Sequence, residues 1–406
     1  MTSTLAKPSP NSFAQFWQLD PEVVFLNHGS FGSCPKAVLQ YQQSLRDRME
    51  AEPIQFLDRQ GFDILRQARE ALARFVGADP EGVAFVTNAT TGVNTVLSNL
   101  EFKPGDELLV TDHAYNACKN ALHYRAARDG AKLVVVPVPF PVSGPDVIIE
   151  RILSAVTSKT RFAMLDHITS PTALVLPVAL LVKELQARGI DTLVDGAHAP
   201  GMLPLNLTEL GAAYYTGNCH KWLCAPKGAG FLYVRADRRE GLHPLVISHG
   251  YNSMEEYGTP FRREFDWTGT YDPTPYFAVS KSIQHLGTLL PGGWEELMAR
   301  NHALALKGRN ILAEALGCDV PCPVELLGSM VTMPLPMTDK PVDRFGNDPL
   351  SNALYDEFRI EIPVIRWPQP EWKRYIRISA QLYNAPEQYE YLVQALAVLL
   401  KKEKGA

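Results

Sequence analysis

The chain has 406 residues, enough for two domains, and its 46% hydrophobic and 20% charged residues are ordinary for a globular protein. A formal net charge of -5, with no cluster of Lys and Arg, argues against a nucleic-acid groove. Because there is no signal-peptide pattern, no apolar run near the ~20 residues of a membrane helix, and no zinc spacing among the six cysteines, we expect a cytoplasmic protein without membrane contact or a metal site.

Short apolar runs alternate with helical stretches through the first three quarters of the chain. A strand at 23–26 runs into a turn segment at 27–33, and an amphipathic helix follows at 57–75. Further strands are predicted at 83–87, 107–111, 133–136, 162–166, 192–195, 213–216 and 230–234. Near-continuous apolar strands separated by helices predict an α/β fold with a mostly parallel sheet, whose functional loops gather at the carboxyl ends of the strands.

The pattern changes after Tyr276. Helices are predicted at 277–290, 294–315 and 350–359, with strands at 330–333 and 375–379, which is typical of a smaller α+β unit. We therefore predict an N-terminal arm and joining segment (1–35), a large domain (36–285) and a small C-terminal domain (286–406).

Two residues at the edge of this predicted sheet suit one kind of chemistry. Asp195 ends an apolar run, and Lys221 follows 26 residues later in a segment with few charges. A desolvated lysine has a lowered pKa and a nucleophilic amine, and a carboxylate can keep a ring nitrogen protonated. The pair suits pyridoxal 5'-phosphate (PLP) held as a Schiff base. A surface lysine and a helix-capping aspartate are the alternatives.

Three further features suit an anionic cofactor and an acidic substrate. The turn Asn88–Gly92 follows a strand and opens a helix, where free N–H groups favour a phosphate. An ordinary helix N-cap would have the same sequence pattern. His198 is either a structural polar residue or a contact to the hydroxyl of the cofactor ring. Arg377 lies mid-strand among apolar residues and needs a partner, either a substrate carboxylate or a structural acid.

Together these segments resemble the class V aminotransferase family of fold type I PLP enzymes. The matching pieces, in order, are Asn88–Gly92, Asp195–His198, Asn218–Lys221, and Arg377–Ser379 leading to Tyr383 and Asn384. The likeness extends over roughly residues 20 to 400, and Asn27–Gly32 with Arg377–Asn384 most resembles the isopenicillin N epimerase-like branch. It implies the PLP-dependent transferase fold of type I, with a mostly parallel seven-stranded sheet in the large domain, a smaller α+β domain, and a homodimer with active sites at the subunit interface.

The resemblance also implies roles for individual residues. Lys221 would bond the cofactor and move the α-proton, Asp195 would pair with the ring nitrogen, and His113 would stack on the ring, with Tyr115 as second choice. The other residues holding the cofactor would be Ala89, Thr90, Asn218, His220, His198, Ser170 and, across the subunit interface, Thr270. The substrate carboxylate would be held by Arg377, Asn27, His28 and Gly29.

The implied activity is that of an epimerase or racemase at the α-carbon of an amino acid or amino-acid-derived peptide. It needs a second acid, for which His28, Tyr115 and Tyr271 are candidates. A C–S lyase acting by β-elimination on a cysteine derivative is the runner-up, an aminotransferase is third, and a binding or regulatory module of the same fold is a different class.

Two expectations concern the rest of the site. A persulfide-forming desulfurase is not expected, because the segment 365–370 before the strand of Arg377 contains no cysteine. The candidates for the pocket of the substrate side chain are Arg366, Trp367, Tyr251, Tyr257 and Arg262, of which paired arginines would suit a second carboxylate.

Overall fold

The computed structural model describes residues 5–9, 11–253, 258–368 and 370–404. The strands are β1 (Val24–Phe25), β2 (Val83–Val86), β3 (Glu107–Thr111), β4 (Lys132–Val136), β5 (Thr160–Asp166), β6 (Asp191–Gly196), β7 (Tyr214–Asn218), β8 (Gly230–Val234), β9 (Met330–Leu335), β10 (Ile360–Glu361), β11 (Val364–Trp367) and β12 (Lys373–Ser379). The α-helices are α1 (His28–Phe31), α2 (Lys36–Ala51), α3 (Gly61–Val76), α4 (Ala89–Asn99), α5 (Asn116–Asp129), α6 (Pro145–Ser154), α7 (Val178–Ala187), α8 (Leu207–Leu210), α9 (Pro260–Asp266), α10 (Thr274–Phe277), α11 (Val279–Leu286), α12 (Gly293–Leu316), α13 (Pro349–Phe358) and α14 (Pro386–Glu403).

A seven-stranded sheet in the order β2-β8-β7-β6-β5-β3-β4 forms the centre of the molecule. Strand β8 is antiparallel to both of its neighbours, and the other neighbouring pairs are parallel. The predicted mostly parallel sheet is therefore confirmed. Because six strands run in one direction, their carboxyl ends lie at one edge, where side chains distant in sequence can meet.

Both faces of this sheet are covered. Successive residues of β3 enter different clusters of buried side chains: Leu108 and Val110 belong to one, Leu109 to the other. Strand β5 alternates in the same way, because side chains of a strand point to opposite faces in turn. This two-sided burial explains why the strands read as continuous apolar runs rather than as alternating ones.

The C-terminal part contains a smaller antiparallel sheet in the order β11-β12-β9, which confirms the predicted α+β unit. Strand β1 pairs in parallel with β10, so the N-terminal segment is attached to this unit rather than left as a free arm. The domain boundaries at residues 35 and 285 stay predictions.

Some predicted helix limits differ from the structure. The helix predicted at 57–75 starts later, at Gly61, after a π-helical turn at Gln55–Gln60, and Gly77 ends it at a positive φ of 61°. The helix predicted at 277–290 is split into α10 and α11. Across the described ranges, no helix is both long and apolar enough to cross a bilayer.

Candidate active site

A cavity of about 540 Å³ opens at the carboxyl ends of β2, β5, β6 and β7. Eight of the residues predicted for the site line it: Ala89, Thr90, Ser170, Asp195, His198, Asn218, His220 and Lys221. These residues come from four separate stretches of the chain, and the parallel strands bring them together. The structure therefore brings the loops together at this edge of the sheet, as predicted.

Lys221 lies in a tight turn just after β7, in which its carbonyl oxygen accepts from the N–H of Cys224 at 3.0 Å. Its Nζ is 3.2 Å from Nε2 of His198. Burial, together with the charge of Arg377, lowers the pKa of Lys221 to about 7. Because burial also lowers the pKa of His198 well below its usual range, that ring is neutral. A large fraction of the amine is therefore unprotonated near neutral pH, as a nucleophile requires.

Two buried carboxyl groups lie side by side at the floor of the cavity. Asp166 and Asp195 are register partners on β5 and β6. The carboxylate of Asp195 accepts from Sγ of Cys118 at 3.1 Å and from the N–H of Ala197 at 3.0 Å. Burial raises the pKa of both acids, and the neighbouring Asp195 raises that of Asp166 further. Neither has an ion pair within the described ranges, so a protonated ring nitrogen suits this place.

The amino end of α4 forms another wall of the cavity. The side chain of Asn88 caps the helix by accepting from the N–H of Thr91 at 2.9 Å, and Oδ1 of Asn218 accepts from the N–H of Ala89 at 2.8 Å. Thr90 and His220 line the cavity beside them. An eleven-residue helix directs its positive end here, so the donor set fits a phosphate group.

Arg377 on β12 is buried next to the cavity without a carboxylate partner in the described part of the chain. Its Nη1 donates to the carbonyl oxygen of Ser170 at 2.5 Å, its Nη2 donates to Oγ of Ser30 at 3.1 Å, and its Nε has no partner there. Ser30 and Ser170 both line the cavity. Burial lowers the pKa of Arg377 to about 10. A structural acid, the alternative considered from the sequence, is not found among the described residues, and the guanidinium lies behind Ser30 and Ser170 rather than on the cavity wall.

His113 does not line the cavity. Its ring is 1% exposed, with Nε2 donating to the carbonyl oxygen of Val138 at 2.9 Å and Nδ1 2.6 Å from Oγ1 of Thr172. The ring packs against Trp367, at 4.3 Å between centroids. Tyr115, the second choice from the sequence, lines the cavity and is 47% exposed.

Asn27, His28 and Gly29 also lie behind the cavity wall rather than on it. Asn27 donates to Oε1 of Glu361 at 3.0 Å, and the N–H of Gly29 donates to Oγ of Ser379 at 3.0 Å. His28 is fully buried and contacts the carbonyl oxygen of Lys221. Their contacts support the strand of Arg377 and the turn of Lys221, so the structure does not bring them to the position expected for a substrate carboxylate.

The candidates for the substrate side chain are not gathered at the cavity either. Arg366 pairs with Asp348 at 2.8 Å, and Arg262 donates to the carbonyl oxygen of Val83, at the amino end of β2 and thus at the opposite edge of the sheet. Trp367 packs on His113, Tyr251 is 63% exposed, and Tyr257 lies outside the described residues. The structure therefore gives no pair of arginines for a second carboxylate.

Two other predicted residues lie apart from the cavity within one subunit. Thr270 is exposed, and Tyr271 is partly buried, with its ring packed against Tyr276 at 5.8 Å between ring centroids. Burial raises the pKa of Tyr271, which makes its hydroxyl a poor acid.

Several residues that line the cavity had no role predicted from the sequence, among them Ser30, Phe31 and Lys227. Asp166 also lines it; like Asp195, it ends a predicted strand, so it was expected at this edge of the sheet but without a role of its own. The six cysteines are free, and none is among the described residues that line the cavity.

Comparisons with known proteins agree with this arrangement. The family model of aminotransferase class-V matches residues 24–339. Isopenicillin N epimerase of Streptomyces clavuligerus is 37% identical over 393 residues, covering 94% of this chain and 96% of that protein. An L-cysteine desulfhydrase of Arabidopsis thaliana is 30% identical over 413 residues, covering 94% and 88%. Among solved structures, a C-DES mutant with glycine covalently linked to its PLP cofactor gives a TM-score of 0.77 at 23% identity, covering 95% of this chain and 98% of that one.

Proposed function

Because this chain belongs to the class V aminotransferase family and is a PLP-dependent enzyme, we propose that it inverts the α-carbon of an amino acid or amino-acid-derived peptide, as an epimerase or racemase. The observation that carries the proposal is the buried amine of Lys221, with a pKa of about 7, in the same cavity as two buried carboxyl groups. When bound, PLP withdraws electrons from the α-carbon and so acidifies its proton. The choice of inversion follows the similarity to isopenicillin N epimerase over nearly the whole chain.

Lys221 and Asp195 have the central roles in this proposal. The amine of Lys221 would hold the cofactor through its aldehyde and would carry the α-proton, for which a pKa near the working pH is favourable. Asp195 would keep the ring nitrogen protonated, and the thiol of Cys118 keeps the carboxylate in place. His198, whose Nδ1 is buried and has no partner in the described ranges, would contact the ring hydroxyl.

The other walls of the cavity hold the anionic groups. Ala89, Thr90, Asn218 and His220 hold the phosphate at the amino end of α4. Arg377 would bind the substrate carboxylate, and Ser170, which accepts from this guanidinium and lines the cavity, would contact the ring hydroxyl. A fork of two N–H donors suits a carboxylate, because both oxygens are then bound and the α-carbon has one orientation.

Inversion also needs a proton donor on the face of the α-carbon opposite Lys221. We assign this role to Tyr115, because of the three candidates from the sequence, all within the described ranges, it alone lines the cavity. His28 is buried behind Lys221, and the ring of Tyr271 packs against Tyr276 away from the cavity. Tyr115 also replaces His113 as the residue proposed to stack on the cofactor ring.

The proposed assembly is a homodimer in the cytoplasm. Exposed apolar side chains at Leu245, Val246, Ile247 and Tyr251 form a stretch that a second copy would cover. In such a dimer Thr270, exposed in one subunit, reaches the phosphate of the other. Six free thiols suit a reducing compartment.

A C–S lyase is the second candidate, because the L-cysteine desulfhydrase of Arabidopsis thaliana also matches over 94% of this chain. Elimination uses the same amine of Lys221 and the same carboxylate site. It differs in needing a leaving thiol on the β-carbon and no proton donor on the opposite face. The two reactions therefore place different demands on Tyr115.

The test is to incubate the full-length protein and PLP with L- and D-amino acids, short peptides and cysteine derivatives in deuterated water. An epimerase gives deuterium at the α-carbon together with inversion, seen by NMR and chiral chromatography. Lys221→Ala should abolish both, and Tyr115→Phe should stop inversion while exchange without inversion continues. Release of pyruvate and a thiol, unaffected in Tyr115→Phe, would establish the lyase instead.

A further inference from the structure

His28 has contacts that its expected role does not explain. Its imidazole is fully buried, with Nε2 3.1 Å from the carbonyl oxygen of Lys221 and Nδ1 2.7 Å from the hydroxyl of Tyr383. Cys224 and Gln381 close the same pocket, at 3.7 and 3.4 Å from Nε2. The ring thus joins the N-terminal segment, the loop after β12 and the turn that carries Lys221.

The hydrogen-bond partners determine which nitrogen of His28 carries the proton. A backbone carbonyl only accepts, so Nε2 must donate to Lys221. Burial lowers the pKa of His28 to about 3, so the ring is neutral and its Nδ1 has no proton. Nδ1 therefore accepts from the hydroxyl of Tyr383. One tautomer satisfies both contacts.

A second contact brings the same segment against the turn of Lys221. Gly32 has a φ of +68°, and a Cβ built there would clash with the carbonyl oxygen of His220 and lie 2.8 Å from Cα of Lys221. In return, Nζ of Lys227 donates to the carbonyl oxygen of Gly32 at 3.1 Å. The backbone around Lys221 is thus held from two sides by residues 28–32.

Such bracing matters because the lysine side chain is long and flexible. Its Nζ lies 3.2 Å from Nε2 of His198, and a misplacement of a reacting group by about 1 Å can cost roughly a hundredfold in rate. The carbonyl oxygen of Lys221 already accepts from Cys224 N–H, as the turn requires. The bond from His28 is the additional, long-range constraint.

We propose that His28 is a positioning residue for Lys221: its Nε2–H bond to the Lys221 carbonyl fixes the backbone from which the amine reaches the cavity, and Tyr383 fixes the tautomer that makes this bond. The inference rests on the proposed role of Lys221 as the residue that bonds PLP. It does not require contact between His28 and either cofactor or substrate.

The experiment compares three substitutions in the full-length protein after PLP is removed and added back. His28→Leu removes both bonds, and His28→Asn keeps only an acceptor near Nδ1, its amide oxygen, which can accept from Tyr383. His28→Gln places its amide nitrogen near Nε2, where it can donate to Lys221. Attachment of PLP is followed by absorbance, then by borohydride reduction and mass spectrometry of the peptide that contains Lys221. We expect attachment to slow about tenfold or more in the Leu and Asn variants and to stay within about threefold in the Gln variant.

Controls separate this role from a general effect on folding. His302→Leu changes a half-buried histidine elsewhere in the chain, bonded to the carbonyl oxygen of Gly328 at 3.0 Å, and should leave the rate unchanged. Thermal unfolding of every variant shows whether stability follows the rate. If the Leu variant does not fold, the Asn and Gln variants still decide the question, since they differ only in which bond is kept.

The outcomes distinguish the two proposals. If wild-type protein attaches PLP at a lysine other than Lys221, the proposed role of Lys221 fails and the inference about His28 fails with it. If PLP attaches at Lys221 but the Leu and Asn variants react as fast as wild type, or Gln as slowly as Leu, only the inference about His28 is overturned.

Discussion

Replacing Arg377 with methionine should remove most of the activity and weaken the fold only slightly. Arg377 is buried, donates to Ser30 and Ser170, and has no carboxylate partner in the described ranges. Arg374, three residues earlier on β12, is just as buried but pairs with Asp348 and Glu403. The two arginines can therefore be compared: Arg377 is available to a ligand, whereas Arg374 stabilises the fold.

The expected magnitudes follow from these contacts. Burial lowers the pKa of Arg377 to about 10, more than two pH units below its ordinary value, and at about 1.4 kcal/mol per unit its charged form is destabilised by roughly 3 kcal/mol. At neutral pH this guanidinium is charged in the folded and unfolded states, so the full cost is present and methionine removes it. The lost hydrogen bonds to the two serines, at about 1 to 3 kcal/mol each, cost about 4 kcal/mol together in the middle of that range and so slightly exceed this gain. We expect the free energy of unfolding to fall by about 1 kcal/mol.

Arg374→Met should behave differently, because it leaves the buried carboxylate of Asp348 without its main partner. Such a loss costs about 3 to 5 kcal/mol. The effect on activity has the opposite order, with the larger loss in Arg377→Met. Losing two charge-assisted bonds to a substrate carboxylate costs about 3 to 5 kcal/mol, so Arg377→Met should lower kcat/KM by roughly 10² to 10³.

The assay is denaturant unfolding of both variants without substrate, together with steady-state kinetics on the substrate identified by the exchange experiment. If Arg377→Met is destabilised as much as Arg374→Met, Arg377 is a structural residue and the reasoning is wrong. Unchanged kcat/KM in Arg377→Met would equally refute its proposed role.

Two more predictions concern the turn of Lys221. With a pKa of about 7, its unprotonated fraction rises about tenfold from pH 6 to pH 8 and then levels off, so the rate of PLP attachment should follow that curve; an exposed lysine would give a rise of about a hundredfold without levelling. Gly32→Ala should destabilise the protein by about 2 to 4 kcal/mol in thermal or denaturant unfolding, because it adds a clash with the carbonyl of His220 to the strain of a positive φ. Gly105→Ala, also at positive φ but with open space around it, should cost only about 1 kcal/mol, and equal losses in the two variants would contradict the close approach.

The sequence by itself determined the sheet and the centre of the candidate site. Asp195 ends an apolar run, Asn88 to Gly92 open a helix after another, and Lys221 follows a third. Because parallel strands bring their carboxyl ends to one edge, their order along the chain was enough to predict that these residues meet. Because both faces of the sheet are buried, its strands are continuous apolar runs, and they could be recognised as strands in the sequence.

Tertiary structure alone decided which way individual side chains point. His113 and Tyr115 are two residues apart after β3, yet one packs against Trp367 and the other lines the cavity. Asp112, just before them, accepts from the N–H of Val138 at 3.0 Å, a contact that no local pattern contains. His28 reaches Lys221 across 193 residues of sequence for the same reason. The local periodicity of apolar residues indicates which residues are buried. The direction of a side chain depends on partners that are distant in sequence and come near only on folding.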